Sequence, residues 1–181
     1  MVARTRVVVC GLLALLLTSS GCWEGVGVTE VQGGDGATCM FDQGTDKYYI
    51  TNYVYNGNIN SRTAPSGVSK NINSEPNDSA NGAFIAVMAL DSKTDMLFSD
   101  YTNTTGAQIR RYTNVKPSVA TAPVKTILSN ALMTAGASAM TVSPFGTTTS
   151  TTLLIGTRNG KILRVTNANT TPTPRSTPEK R

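Results

Sequence analysis

The sequence predicts an all-β fold of antiparallel strands, and three observations predict it. Short runs dense in β-branched and aromatic residues recur between positions 25 and 166, separated by Gly, Asn, Asp and Thr turns. No window keeps apolar residues at three-four spacing over three turns, as an amphipathic helix requires. A Gly-Ala pair opens three stretches, at Gly36-Ala37, Gly82-Ala83 and Gly136-Ala137, at steps of 46 and 54 residues. A period of that size is the mark of propeller blades. The expectation is three antiparallel, propeller-like blades, too few for a closed ring. The alternative is another antiparallel arrangement, a β sandwich.

The chain opens with Arg4 and Arg6, then an unbroken apolar run of 11 residues, Val7 to Leu17. A spanning helix needs roughly 20 such residues, so this run fits the core of an export signal instead. Thr18, Ser19, Ser20 and Gly21 follow, and then Cys22. Gly21-Cys22 resembles the processing site of bacterial lipoproteins, although Ser19 stands where that pattern prefers Leu. The resemblance implies cleavage before Cys22 and lipidation of its thiol and amino group. Several acyl chains, unlike one, anchor a protein stably. Residues 1–21 are therefore read as a signal, 22–166 as the repeat domain and 167–181 as a disordered Pro/Thr-rich tail.

Within the repeat domain the first strand is Gly25 to Val31, where apolar and polar residues alternate. Ala37 to Phe41 is the second. Lys47 to Tyr55 (KYYITNYVY) is the densest β run, and Asn56-Gly57-Asn58 turns the chain into Ile59 to Arg62. A polar stretch from Thr63 to Asn81 holds a short outer strand near Val68 to Ile72. Phe84 to Leu90 (FIAVMAL) reads as a buried strand. Met96 to Tyr101, Gln108 to Thr113 and Val124 to Ser129 complete that unit. Ala137 to Ser143, Thr152 to Arg158 and Lys161 to Thr166 form the third. Asn159-Gly160 between the last two is the strongest hairpin signal in the chain. The count is 12 strands, with Gly25–Val31 as the outer strand of the last blade.

The segment Leu90 to Asn114 resembles one blade of the YWTD or NHL propeller class. Such blades carry an Asp turn, a strand of the type L-[YF]-x-[ST]-D and a strand of the type I-x-R. Leu97-Phe98-Ser99-Asp100 and Ile109-Arg110-Arg111 match this pattern. Tyr49-Ile50-Thr51-Asn52 with Ile59-Asn60-Ser61-Arg62 is similar to it. So is Leu154-Ile155-Gly156-Thr157 with Ile162-Leu163-Arg164. The resemblance implies a scaffold and carries no function with it.

Composition excludes several chemistries. The chain has no histidine, which removes Ser-His-Asp and Cys-His nucleophile pairs and any His-ligated metal. Loss of Arg4 and Arg6 with the signal lowers the formal charge from +5 to +3. No basic stripe with interleaved aromatics is present, so nucleic acid is not an expected partner. Asp91, Asp95 and Asp100 lack calcium-loop spacing and are read as turn chemistry. Propeller lactonases hold a metal with Glu, Asn and Asp. None of Glu24, Glu30, Glu75 and Glu179 opens an inner strand. Gly156 to Lys161 (GTRNGK) falls one residue short of a phosphate loop and has Ile162 where Ser or Thr is required. The Asn77, Asn103 and Asn169 glycosylation triplets are attributed to composition. Cys39 is an odd thiol if Cys22 is lipidated and could pair with it in a disulfide if not; lying in an apolar run, it is expected to be a small buried hydrophobe.

These readings combine into one expectation: an exported, membrane-anchored, non-enzymatic module without cofactor. Its partners are the membrane, through the anchor, and a protein or glycan held by loops 63–81, 102–107 and 146–151. The alternative is a fragment, or half, of a propeller hydrolase or lactonase. A three-blade array leaves its flanks open. A homodimer closing a six-bladed ring, a longer reading frame or an open β array each answers that.

Overall fold

The computed structural model describes residues 30–63, 67–73 and 81–170. Gly34–Arg181 form one compact unit; Met1–Gly33 form another, whose described residues, 30–33, contain no strand. The expected strand Gly25–Val31 thus lies mostly outside the described residues.

The protein is all-β. Among the described residues, eleven strands build three antiparallel sheets, and none of these sheets closes on itself. The first sheet is β1 (Gly36–Phe41), β2 (Tyr48–Tyr53), β3 (Asn60–Thr63) and β4 (Ser69–Asn71), in that spatial order. The second is β5 (Met88–Asp91), β6 (Met96–Asp100), β7 (Ile109–Thr113) and β8 (Val124–Leu128). The third is β9 (Ala137–Val142), β10 (Leu153–Thr157) and β11 (Ile162–Val165). Each sheet is a meander in which every strand pairs with the next along the chain. The first strand of each sheet is its inner strand, and β5 packs against both β1 and β9. This is the arrangement of three propeller-like blades.

Alternation along each strand makes this packing work, because successive side chains point to opposite faces. In β6, Leu97 is fully buried toward blade 1, in a cluster with Tyr48, Ile50, Ile59, Met88, Tyr112 and Val115. Its neighbour Phe98 is fully buried toward blade 3, with Ile109, Leu128, Met133, Leu153 and Ile155. One strand thus feeds two cores.

Buried polar groups bolt the blades together. Asn56 lies in a one-turn 3-10 segment after β2 and is 1% exposed. Its amide donates to Asp100 O at 2.6 Å and Asn81 O at 2.9 Å, and its Oδ1 accepts from the Ser99 hydroxyl at 2.6 Å. Asn73 donates back to Asn56 O and accepts from Ile59 N–H at 2.8 Å. Asp100, fully buried, accepts from Thr102 Oγ1 at 2.6 Å and from Ala137 N–H, at the start of β9, at 3.4 Å. Arg158, beyond β10, reaches the other Asp100 oxygen at 3.4 Å.

Several expectations are corrected. Phe84 and Ile85 are not strand but half-exposed loop, and β5 begins only at Met88. Phe84 instead meets Tyr55 edge-on, with ring centroids 5.4 Å apart. Cys39 is exposed, because β1 turns that side chain away from blade 2. Asn167–Thr170 are not a disordered tail: Ala168 is fully buried and its carbonyl accepts from Arg111 at 2.9 Å. The rest of that tail lies outside the described residues. The β10–β11 hairpin forms, but by a different turn. Gly160 N–H donates to Thr157 O, Thr157 N–H donates to Lys161 O, and Gly160 alone takes a positive φ, +82°. This is a type I turn closed by a glycine bulge, not a two-residue type I′ turn.

Candidate functional site: a groove between the inner strands

β1, β5 and β9 lie side by side, and the space between them is a groove of about 270 Å³. Each strand contributes one methionine: Met40, Met88 and Met140. Leu90 and Val142 widen the apolar lining, while Gln43 and Ser92 supply polar groups. Methionine is unbranched and polarizable, so a lining of this kind adapts to irregular apolar partners.

The turns beside the groove are tied across blades. Gln43 N–H donates to Ser92 Oγ at 2.8 Å, joining blade 1 to blade 2. The Lys93 ammonium donates to Pro144 O and Gly146 O, both at 2.6 Å, joining blade 2 to the loop after β9. Asp91 accepts from Lys93 N–H at 3.0 Å and from the Thr151 hydroxyl of blade 3. Lys116 bridges Asp46 at 2.6 Å and Asp95 at 2.9 Å, and Tyr48 Oη donates to Asp95 at 3.0 Å. The bonds to Asp46 and Asp95 raise the Lys116 pKa. Burial, and then Asp95, hold the Tyr48 phenol well above its ordinary value.

The three aspartates of the sequence reading are thus turned to different neighbours. Asp91 and Asp100 serve the turn and loop roles expected of them, and each also reaches into blade 3. Lys161 of the phosphate-loop-like segment sits on the hairpin and donates to Thr134 Oγ1 at 3.1 Å. Asn103 accepts from Thr105 N–H and Oγ1, and Asn169 is bonded to Thr151 and Thr149. Asn103 serves a local turn, whereas Asn169 ties the end of the described chain to the loop before β10. Cys22 and Asn77 lie outside the described residues. Loops 102–107 and 146–151 are not open arms: the bridges Asn103–Gly106 and Thr147–Ser150 close each into a miniature hairpin. The groove methionines were not singled out from the sequence. Their signal was present, since Met40 and Met140 each stand four residues after the Gly-Ala glycine.

No protein-family model, curated protein or solved structure matches this chain.

Proposed function

We propose that this protein is an exported, lipid-anchored binding module whose groove takes an apolar segment of a protein partner. The observation that carries this reading is the groove itself, with one methionine from each of three inner strands. Apolar clefts with a few polar groups are the usual form of binding sites, and methionine-rich surfaces accept varied apolar partners. A glycan site would call for more polar groups than Gln43 and Ser92. The anchor is Cys22, on the strength of Val7–Leu17 followed by Gly21-Cys22. Catalysis is no part of this reading.

Two measurements test it. Protein labelled with 13C at the methionine methyls is titrated with trileucine amide and, separately, with chitotriose. The peptide should shift Met40 and Met140, the partly exposed methionines, and leave Met88 and Met133, both buried in the core, in place. Shifts with the sugar alone, or with neither, would reject the groove as a peptide site. For the anchor, Cys22→Ser should move the protein from membrane to soluble fraction, and mass spectrometry should find Cys22 acylated. An unmodified mature N-terminus rejects the anchor. One divalent ion per purified chain would favour the lactonase reading instead.

A further inference from the structure

We infer that two copies of this chain close head to tail into a six-bladed ring, with blade 3 of each packed on blade 1 of the other. The inference depends on neither the anchor nor the ligand.

The first support is an interface already made twice within the chain. Blade 1 packs on blade 2, and blade 2 on blade 3, each through one face of the sheet. The next such face, on blade 3, is bare. In β9, Ala139 and Thr141 are exposed; in β10, Leu154 is 39% exposed; in β11, Ile162 is 80% exposed. The register sets them in cross-strand rows, Thr141–Leu154–Arg164 and Ala139–Gly156–Ile162. Phe98 and Ile109 occupy this face in blade 2 and are buried. At the other end of the array, β1 presents Cys39 and Phe41, the latter 64% exposed, on the face turned from blade 2. Behind them Tyr49 and Thr51 are already covered, so the junction forms along the inner strands.

The second support is charge. Residues 129–170 carry Arg158, Lys161 and Arg164 and no carboxylate. Residues 34–81 carry five carboxylates against three cations. Every acidic residue but Glu179 lies before Tyr101. A basic end and an acidic end attract head to tail, whereas blade 3 against blade 3 sets like charges together. Two chains bring six inner strands around one axis, within the blade number of closed propellers. The open groove then becomes the wall of a central channel.

The native Cys39 provides the test. β9 should meet the partner's β1 as β5 meets β9, which places Cys39 near position 139 or 141. Ala139→Cys and Thr141→Cys are made in the full chain with Cys10 and Cys22 replaced by serine, and the purified protein is oxidised with copper phenanthroline. The expected result is a disulfide-linked dimer from at least one of the two, and none from the chain that keeps Cys39 alone. Adding Cys39→Ser, or Ile162→Asp, should abolish the band. Light scattering of the purified chain should give twice the chain mass at low salt and less at 1 M NaCl. A band that survives Cys39→Ser means blade 3 meets blade 3 and overturns the inference. So does a monomer that yields no band from either cysteine.

Discussion

Replacing Phe98 with alanine probes the packing of blade 2 on blade 3. The ring is fully buried, in a cluster fed by β6, β7, β8, β9 and β10. A buried phenylalanine removes roughly 150–250 Å² from water. At about 25 cal/mol per Å², the lower end of that range is near 4 kcal/mol. The residual cavity adds to the loss, and measured Phe→Ala costs in cores are about 3–5 kcal/mol. Domains hold only about 5–15 kcal/mol in total, so the variant should lie close to unfolding at room temperature. Phe145→Ala is the control, since that ring is 92% exposed and its loss should cost no more than about 0.5 kcal/mol. Urea titration followed by circular dichroism measures both, and an unchanged slope shows that stability alone has moved. A Phe98→Ala loss below about 1 kcal/mol, or one equal to that of Phe145→Ala, would refute the two-sided packing of β6.

Gly160→Val should cost about 1–2 kcal/mol by backbone strain alone, because φ is +82° and no atom lies within 4 Å of the new Cβ; an unchanged melting temperature would remove the glycine bulge. Stability should fall as pH rises above about 10. The folded Tyr48 phenol stays protonated past its ordinary 10.0 while the unfolded one ionises, at about 1.4 kcal/mol per pH unit for one proton. The raised Lys116 acts in the same sense, its stabilising charge being lost as pH passes its folded pKa. Lys70, whose pKa burial lowers, opposes both just below 10.5. Tyr48→Phe should flatten the alkaline decline measured by urea midpoints from pH 8 to 11; an equal decline in the variant would show that Tyr48 is not its source.

Strand order and number were largely legible because each blade pairs sequence neighbours, so local patterns suffice. β6, β7, β8, β10 and β11 fall within a residue or two of their expected bounds. Phe84–Leu90 was over-read because periodicity cannot separate a short apolar strand from an apolar loop. The frame also misled there. Gly36 opens β1 and Gly136 directly precedes β9, whereas five residues separate Gly82 from Met88. The third match to the blade motif was set one residue out. Leu97 and Ser99 face the preceding blade, but in β10 it is Leu153, Ile155 and Thr157 that are buried there. A one-residue shift reverses every side chain. It places Gly156 where blade 2 has Asp100, so blade 3 lacks that bolt to a following blade. Asn56 was invisible as a bolt because its partners, Asn81, Ser99 and Asp100, lie more than twenty residues along the chain, and Asn56-Gly57-Asn58 reads locally as a plain turn.

The central claim is that Leu97 and Phe98, adjacent in β6, face different neighbouring blades. Nuclear Overhauser contacts in methyl- and aromatic-labelled protein test it most directly. Leu97 methyls should show cross-peaks to the set of Tyr48, Ile50 and Ile59, and the Phe98 ring to the set of Leu153 and Ile155. Cross-peaks from both residues to a single set, or from Leu97 to Ile155, would contradict three blades packed in sequence.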